Sequence, residues 1–287
     1  LNSGGESSLV QVKAVDHSDQ LGEQDLVILA VKAHDLHNVV QMVEPLIGKD
    51  TIVIPTINGV PWWFVGPSSQ TPSLGRLQSV DPKGLIDSKI PYANVIGAVV
   101  YPSFSCPKPG VTLHHSGSKI VLGEPITSPD SGISPKLQSI VDLFKFSGLD
   151  IEASTDIRTE VWKKLLGNAC FNPVSLLTSS PTDLMIDDPM IYRVFTSMMN
   201  ELLLLGEALG LKPNISVPDR IALTRKLGHI KTSMLQDAQR GRAVEIEAIL
   251  GAACELAQNI NISIPTLNTV YALARFKSKT EGLLNID

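Results

Sequence analysis

Lys164, Asn168 and Asn172 fall four residues apart within the segment 162–173, WKKLLGNACFNP. On a helix that spacing lines them up as one slowly drifting stripe. Trp162, Leu165 and Ala169 make a second, apolar stripe beside it, so the polar row borders a buried face. Asparagine is a poor helix-interior residue because its amide competes for backbone hydrogen bonds. Two asparagines in line with a lysine therefore suit an external partner carrying carbonyl or hydroxyl oxygens, with the cation taking up negative charge. A solvated lysine with two asparagines at a kink has the same pattern, and spacing alone leaves both readings open. Pro173 removes a donor from the helix, so a kink or loosening is expected there.

The elements that must position this stripe follow from the rest of the chain. Residues 25–31, DLVILAV, are a continuous apolar run that fits a strand buried on both faces. A helix is expected over 34–45, and the next strand over 51–56, TIVIPT, ending in the turn signal Ile57-Asn58-Gly59. Strand, helix, strand with short connections is the pattern of a parallel sheet, whose ligands lie beyond the carboxyl ends of the strands. Lys32 and Asn58 occupy that rim; a solvated strand end and a plain turn residue are the competing readings. Trp62, Trp63 and Phe64 read as a packing cluster, and 66–88 as a surface excursion rich in Pro, Gly and Ser. Further strands are expected over 9–15, 94–101, 111–115 and 119–122, with a linker over 124–134.

Beyond the linker the pattern is helical. Helices are expected over 135–147, 189–209, 218–227, 232–240, 244–258 and 265–277, besides the central one, several of them closed by glycine. In the helix over 244–258, Glu245 and Glu247 fall in the first turn, where the helix dipole favours carboxylates.

Composition sets outer limits. The 287 residues allow two domains with a sizeable core, at 43% hydrophobic, 18% charged and 5% aromatic content. The net charge of −5 without a basic run argues against nucleic acid. No apolar stretch approaches the length of a membrane span. Three scattered cysteines argue for a reduced, cytoplasmic setting, and neither they nor the six histidines form a metal motif.

Several segments together resemble the ketopantoate reductases (2-dehydropantoate 2-reductases). They are DLVILAVKAHD at 25–35, TINGVPWW at 56–63, VIGAVVYP at 95–102, WKKLLGNACFNP at 162–173 and SMLQDAQRGRAVEIEAILG at 233–251. The resemblance implies an α/β Rossmann-like parallel-sheet domain over 1–125 followed by an all-α substrate domain over 126–287. It implies NADPH-dependent reduction of ketopantoate to pantoate, in pantothenate and coenzyme A biosynthesis. Lys164 matches the catalytic lysine, and Glu245 a glutamate beside substrate and nicotinamide. Asn168, Asn172 and Ser233 match substrate-binding positions. Asn58 matches a position close to the nicotinamide, Lys32 one toward the adenosine end, and Pro102 a weaker cofactor contact. A small 2-oxo acid is the implied partner, and a homodimer is compatible with it.

The chain departs from the family pattern in three places. Val244 stands where the motif carries a threonine, which weakens or shifts the following helix start. Thr182 stands where many members have a further substrate-binding asparagine. No G-x-G-x-x-G follows any strand, so the first βα unit, roughly 30 residues, is expected to be absent before Leu1. A reductase of another branched 2-oxo acid, and a non-catalytic remnant without a dinucleotide-binding turn, are the competing readings.

Overall fold

The computed structural model describes residues 2–3, 6–66, 74–125 and 132–284. The centre of the expected linker and part of 66–88 lie outside them; the rest of 66–88 is not the surface excursion expected, because Leu74, Leu77 and Ile86 are buried and anchor it. The described chain forms two compact units. One comprises Leu1–Ala30, Asn38–Ile57 and Lys89–Ile157; the other comprises Val31–His37, Asn58–Ser88 and Arg158–Asp287.

The first unit carries the sheets. Asn2–Ser3 (β1), Glu6–Ser7 (β2), Ser103–Lys108 (β6) and Val111–Ser116 (β7) make a four-stranded sheet in the order β2-β1-β7-β6. Leu26–Leu29 (β3) and Ile52–Pro55 (β4) pair in parallel, from Leu26 opposite Ile52 to Leu29 opposite Pro55. A parallel bridge from Val53 to Val95 joins β4 to the segment leading into Gly97–Val100 (β5). Lys119–Gly123 (β8) then runs antiparallel to β5, and Asp150–Ala153 (β9) parallel to β8. The sheet is thus mixed rather than wholly parallel, because the β6–β7 hairpin returns the chain in the opposite direction before β8. Helix α3, Pro135–Phe144, covers one face: Leu137, Ile140 and Val141 pack with Ile54, Ile96, Ala98 and Leu122. The segment 9–15 is not a strand; it is irregular, and Leu9, Val10 and Val12 are exposed.

The second unit is helical and is built round α4, Ile157–Thr178, which runs 22 residues and continues through Pro173. Around it stand α5 (Thr182–Asp187), α6 (Pro189–Ala208), α7 (Val217–Arg225), α8 (Ser233–Gln239), α9 (Ala252–Asn259) and α10 (Pro265–Thr280). Helices α1 (Leu36–Val43) and α2 (Leu85–Lys89) cross the unit boundaries in sequence. Trp162 anchors α4. Its indole stacks on Phe64 with ring centres 5.8 Å apart, and its Nε1 donates to the Leu202 carbonyl at 3.0 Å. Gly206 lets this indole in, since a Cβ there would stand 2.5 Å from Nε1. Trp62, Trp63 and Phe64 are all buried, as expected of a packing cluster.

Glu245 is placed differently from the expectation. It lies ahead of the helix, and the first turn after it, Glu247–Gly251, is a π turn that passes into α9. The residue at its N-cap position is Ile246, and no side chain caps the start of this turn. Among the described residues, no helix is long and apolar enough to cross a membrane.

Candidate active site

Five polar side chains of the helical unit form one connected group. The Lys164 ammonium donates to Oδ1 of Asn58 at 2.8 Å. Asn58 donates from Nδ2 to Oε2 of Glu245 at 3.4 Å. Glu245 also accepts from Lys32 Nζ at 3.3 Å and, on Oε1, from the backbone N–H of Ala33 at 3.1 Å. Lys32 in turn donates to Oδ2 of Asp237 at 2.6 Å. The orientation of the Asn58 amide follows from its neighbours. A carboxylate only accepts and an ammonium only donates, so the NH₂ must face Glu245 and the oxygen Lys164.

Backbone features hold each member. Asn58 precedes Gly59, whose φ of +83 lies in the left-handed region. A Cβ on Gly59 would stand 2.3 Å from the carbonyl oxygen of Ala248 in the π turn. That carbonyl accepts from Val60 N–H at 2.8 Å, tying the Asn58 loop to the turn that follows Glu245. Single π turns of this kind recur at functional sites. Asp237 sits on α8, whose start is capped by Thr232 Oγ1 accepting from Leu235 N–H.

The electrostatics separate the two lysines. Burial pushes the Lys164 ammonium down to about 8, against the opposing pull of Glu245. For Lys32, burial also works against the charge, but Glu245 and the hydrogen bond from Asp237 outweigh it and raise its pKa. Lys164 is therefore the member suited to exchange a proton near neutral pH, while Lys32 is a fixed cation.

The remaining sequence candidates are distributed as follows. Asn168 and Asn172 continue the Lys164 stripe along α4; Asn168 is half-buried and Asn172 buried. Ser233 is exposed at the first position of α8, one turn before Asp237. Pro102 lies in the other unit, between β5 and β6. The resemblance placed Lys32 toward the adenosine end of a cofactor; in the structure its ammonium is bonded to Asp237 and Glu245. Asp237 was not singled out in the sequence, although its spacing from Ser233 puts the two on one helix face. Thr182 is buried, and its hydroxyl is shared between the carbonyls of Gly228 at 3.1 Å and Ile230 at 3.3 Å. Among the described residues no group of three or more His, Cys, Asp or Glu could hold a metal, and the three cysteines are free.

Comparison with known proteins matches this chain to one family. The family model for ketopantoate reductase PanE/ApbA covers residues 1–126, and that for its C-terminal domain covers 156–278. A 2-dehydropantoate 2-reductase from Mesorhizobium japonicum is 39% identical over 94% of this chain and 82% of its own length. The crystal structure of a Ralstonia solanacearum MolK2 protein assigned as a ketopantoate reductase superposes with a TM-score of 0.92. It is 38% identical over 98% of this chain and 85% of that one. The ternary structure of D-mandelate dehydrogenase with NADH and anilino(oxo)acetate shares the fold, with a TM-score of 0.79 at 19% identity over 97% of this chain and 84% of that one. This chain belongs to the ketopantoate reductase family and is an oxidoreductase of that kind.

Proposed function

We propose that the protein reduces ketopantoate to pantoate with NADPH, supplying pantothenate and coenzyme A synthesis, and that Lys164 is the general acid. The observation that carries this reading is the Lys164–Asn58–Glu245 chain, with an ammonium whose pKa is brought to about 8 by burial. Reduction of a 2-oxo acid puts negative charge on the former carbonyl oxygen, which a nearby ammonium favours in the transition state. Such an ammonium then delivers the proton that completes the alcohol.

Asn58 holds Nζ through Oδ1, and Glu245 holds Asn58 in that orientation, which fixes where the ammonium sits. Asn168 and Asn172 extend the polar row and can orient the hydroxyl of the substrate without adding charge. Ser233 is the residue assigned to its carboxylate.

The donors fit a dinucleotide as well. Lys32 and Asn58 each follow closely in sequence the C-terminal end of one strand of the parallel pair β3 and β4, the rim where such cofactors lie. Ammonium and amide donors there match ribose and carboxamide oxygens. Lys32, Asn58, Glu245 and Pro102 are the residues assigned to NADPH, which supplies the hydride when bound.

One observation favours a second substrate. Thr182 spends its hydroxyl on backbone carbonyls, so it does not replace the further asparagine of the family pattern, and another branched 2-oxo acid could occupy the site. Steady-state oxidation of NADPH and of NADH with ketopantoate, 2-oxoisovalerate and phenylglyoxylate tests both readings. Ketopantoate with NADPH should give the highest kcat/KM. A higher value for another acid would move the substrate, and no turnover with any of them would remove the reading.

A further inference from the structure

We propose that Asp237 is a positioning residue for this reaction: it holds the Lys32 ammonium between two carboxylates and so leaves Glu245 available to Asn58 and Lys164. The proposal rests on the reading of Lys164 as the general acid. Lys32 Nζ lies 2.6 Å from Asp237 but 3.3 Å from Glu245, so Asp237 is the nearer partner although Glu245 is also in reach. Asp237 is buried, at 8% exposure, and Glu245 at 6%. In such a setting a carboxylate acts strongly on nearby charges. The backbone fixes Asp237, since its carbonyl accepts from Arg240 N–H at 3.0 Å and Arg242 N–H at 2.9 Å, closing α8 around it.

Charge counting explains why a second carboxylate is needed. The connected group holds two cations, Lys32 and Lys164, and two carboxylates, Asp237 and Glu245. Without Asp237 the two ammonium groups would depend on Glu245 alone, and the surplus positive charge would disfavour protonated Lys164. Two further cations stand on or against α4: Arg158 lies over the Phe64 ring at 4.8 Å, and Arg220, packed against Gly167, donates to Thr224 Oγ1. Lys163 pairs with Glu160, Glu247 with Arg275, and His34 faces Asp35 at 3.8 Å. Arg240 and Arg242 are exposed.

The test is the pH dependence of kcat/KM for ketopantoate at saturating NADPH in four full-length proteins: wild type, D237N, K32Q and the double variant. Loss of the Lys164 proton should set an alkaline limb in the wild type. D237N should move that limb to lower pH by about half a unit or more. K32Q, which removes a cation, should move it the other way, and the double variant should return close to wild type. A purely structural role for Asp237 would change amplitudes and melting temperature but would not produce this charge rescue. If D237N fails to fold, K32Q alone decides, since an unmoved limb there would overturn the proposal. A wild-type limb that D237N leaves in place removes this inference only. A wild-type profile without the limb removes it together with the assignment of Lys164.

Discussion

Lys164 and Asn58, 106 positions apart in the chain, meet in a hydrogen bond of 2.8 Å in which the ammonium donates and the amide oxygen accepts. The contact fixes one N–H of a lysine that burial already makes easier to deprotonate. Removing the amine should therefore remove the acid without removing a support of the fold. For Lys164→Ala we expect turnover to fall by at least about a hundredfold, the scale of losing a general acid. The melting temperature should stay close to wild type, and Lys164→Met should match or exceed it, because neither has to bury an ammonium. Turnover near wild type in a folded variant would end the assignment.

The pH dependence follows from the same residue. Its ammonium is brought down to about 8 by burial, so the acid form is present below that pH and is lost as pH rises through it. kcat/KM should accordingly hold to about pH 7 and fall tenfold per unit well above 8. The stability contribution has its own sign. A base whose folded pKa lies below its unfolded value of 10.5 opposes folding where the unfolded chain would be protonated. That penalty is full below pH 8 and fades as pH rises toward 10.5. Chemical denaturation between pH 7 and 10 should show the Lys164→Met variant losing its advantage over wild type as pH increases.

Gly59→Ala probes the support beneath Asn58. The residue has a φ of +83 and no room for a Cβ against the Ala248 carbonyl. The substitution should cost about 1–3 kcal/mol of stability, measured by urea denaturation. It should also lower kcat, since Asn58 moves with the loop. An alanine variant with wild-type stability and turnover would show that this turn is not a support.

Ser233 stands at the start of α8 and is exposed, so replacing it disturbs little packing. Ser233→Ala should raise KM for the 2-oxo acid by about tenfold, the loss of a hydrogen bond to a charged group. NADPH affinity by calorimetric titration should be unchanged. The opposite split would move Ser233 to the cofactor side.

Much of this was legible in the residue pattern. The runs 25–31 and 51–56 are apolar enough to specify strands, and β3 and β4 form within them; β4 is buried as expected, but β3 is not buried on both faces, since Ile28 is 47% exposed. The Lys164 stripe was visible because a helix repeats its face locally. What spacing could not reveal is contact across the chain: Lys32 and Asp237 are 205 positions apart, and neither segment carries a mark of the other. Strand β6, SFSCPK, was missed because a mostly exposed strand containing proline has little apolar alternation. Helix α5 was missed because it is only six residues long. The π turn has no pattern of its own, although Val244, unable to cap, was a visible sign that the helix start there would be unusual.

The π turn at Glu247–Gly251 has a consequence for how this protein can change in length. A π turn holds one residue more than the α turn it replaces. Deleting any single residue between 247 and 251 would let the backbone relax into regular helix while α9 kept its packing. Everything ahead of the deletion would then rotate by about 100° round the helix axis. Glu245 would swing away from Asn58 and Lys32, and the Ala248 carbonyl away from Val60. A deletion that looks conservative, and that even regularises the helix, would therefore dismantle the polar group, whereas insertions in the exposed hairpin between β6 and β7 would leave it untouched.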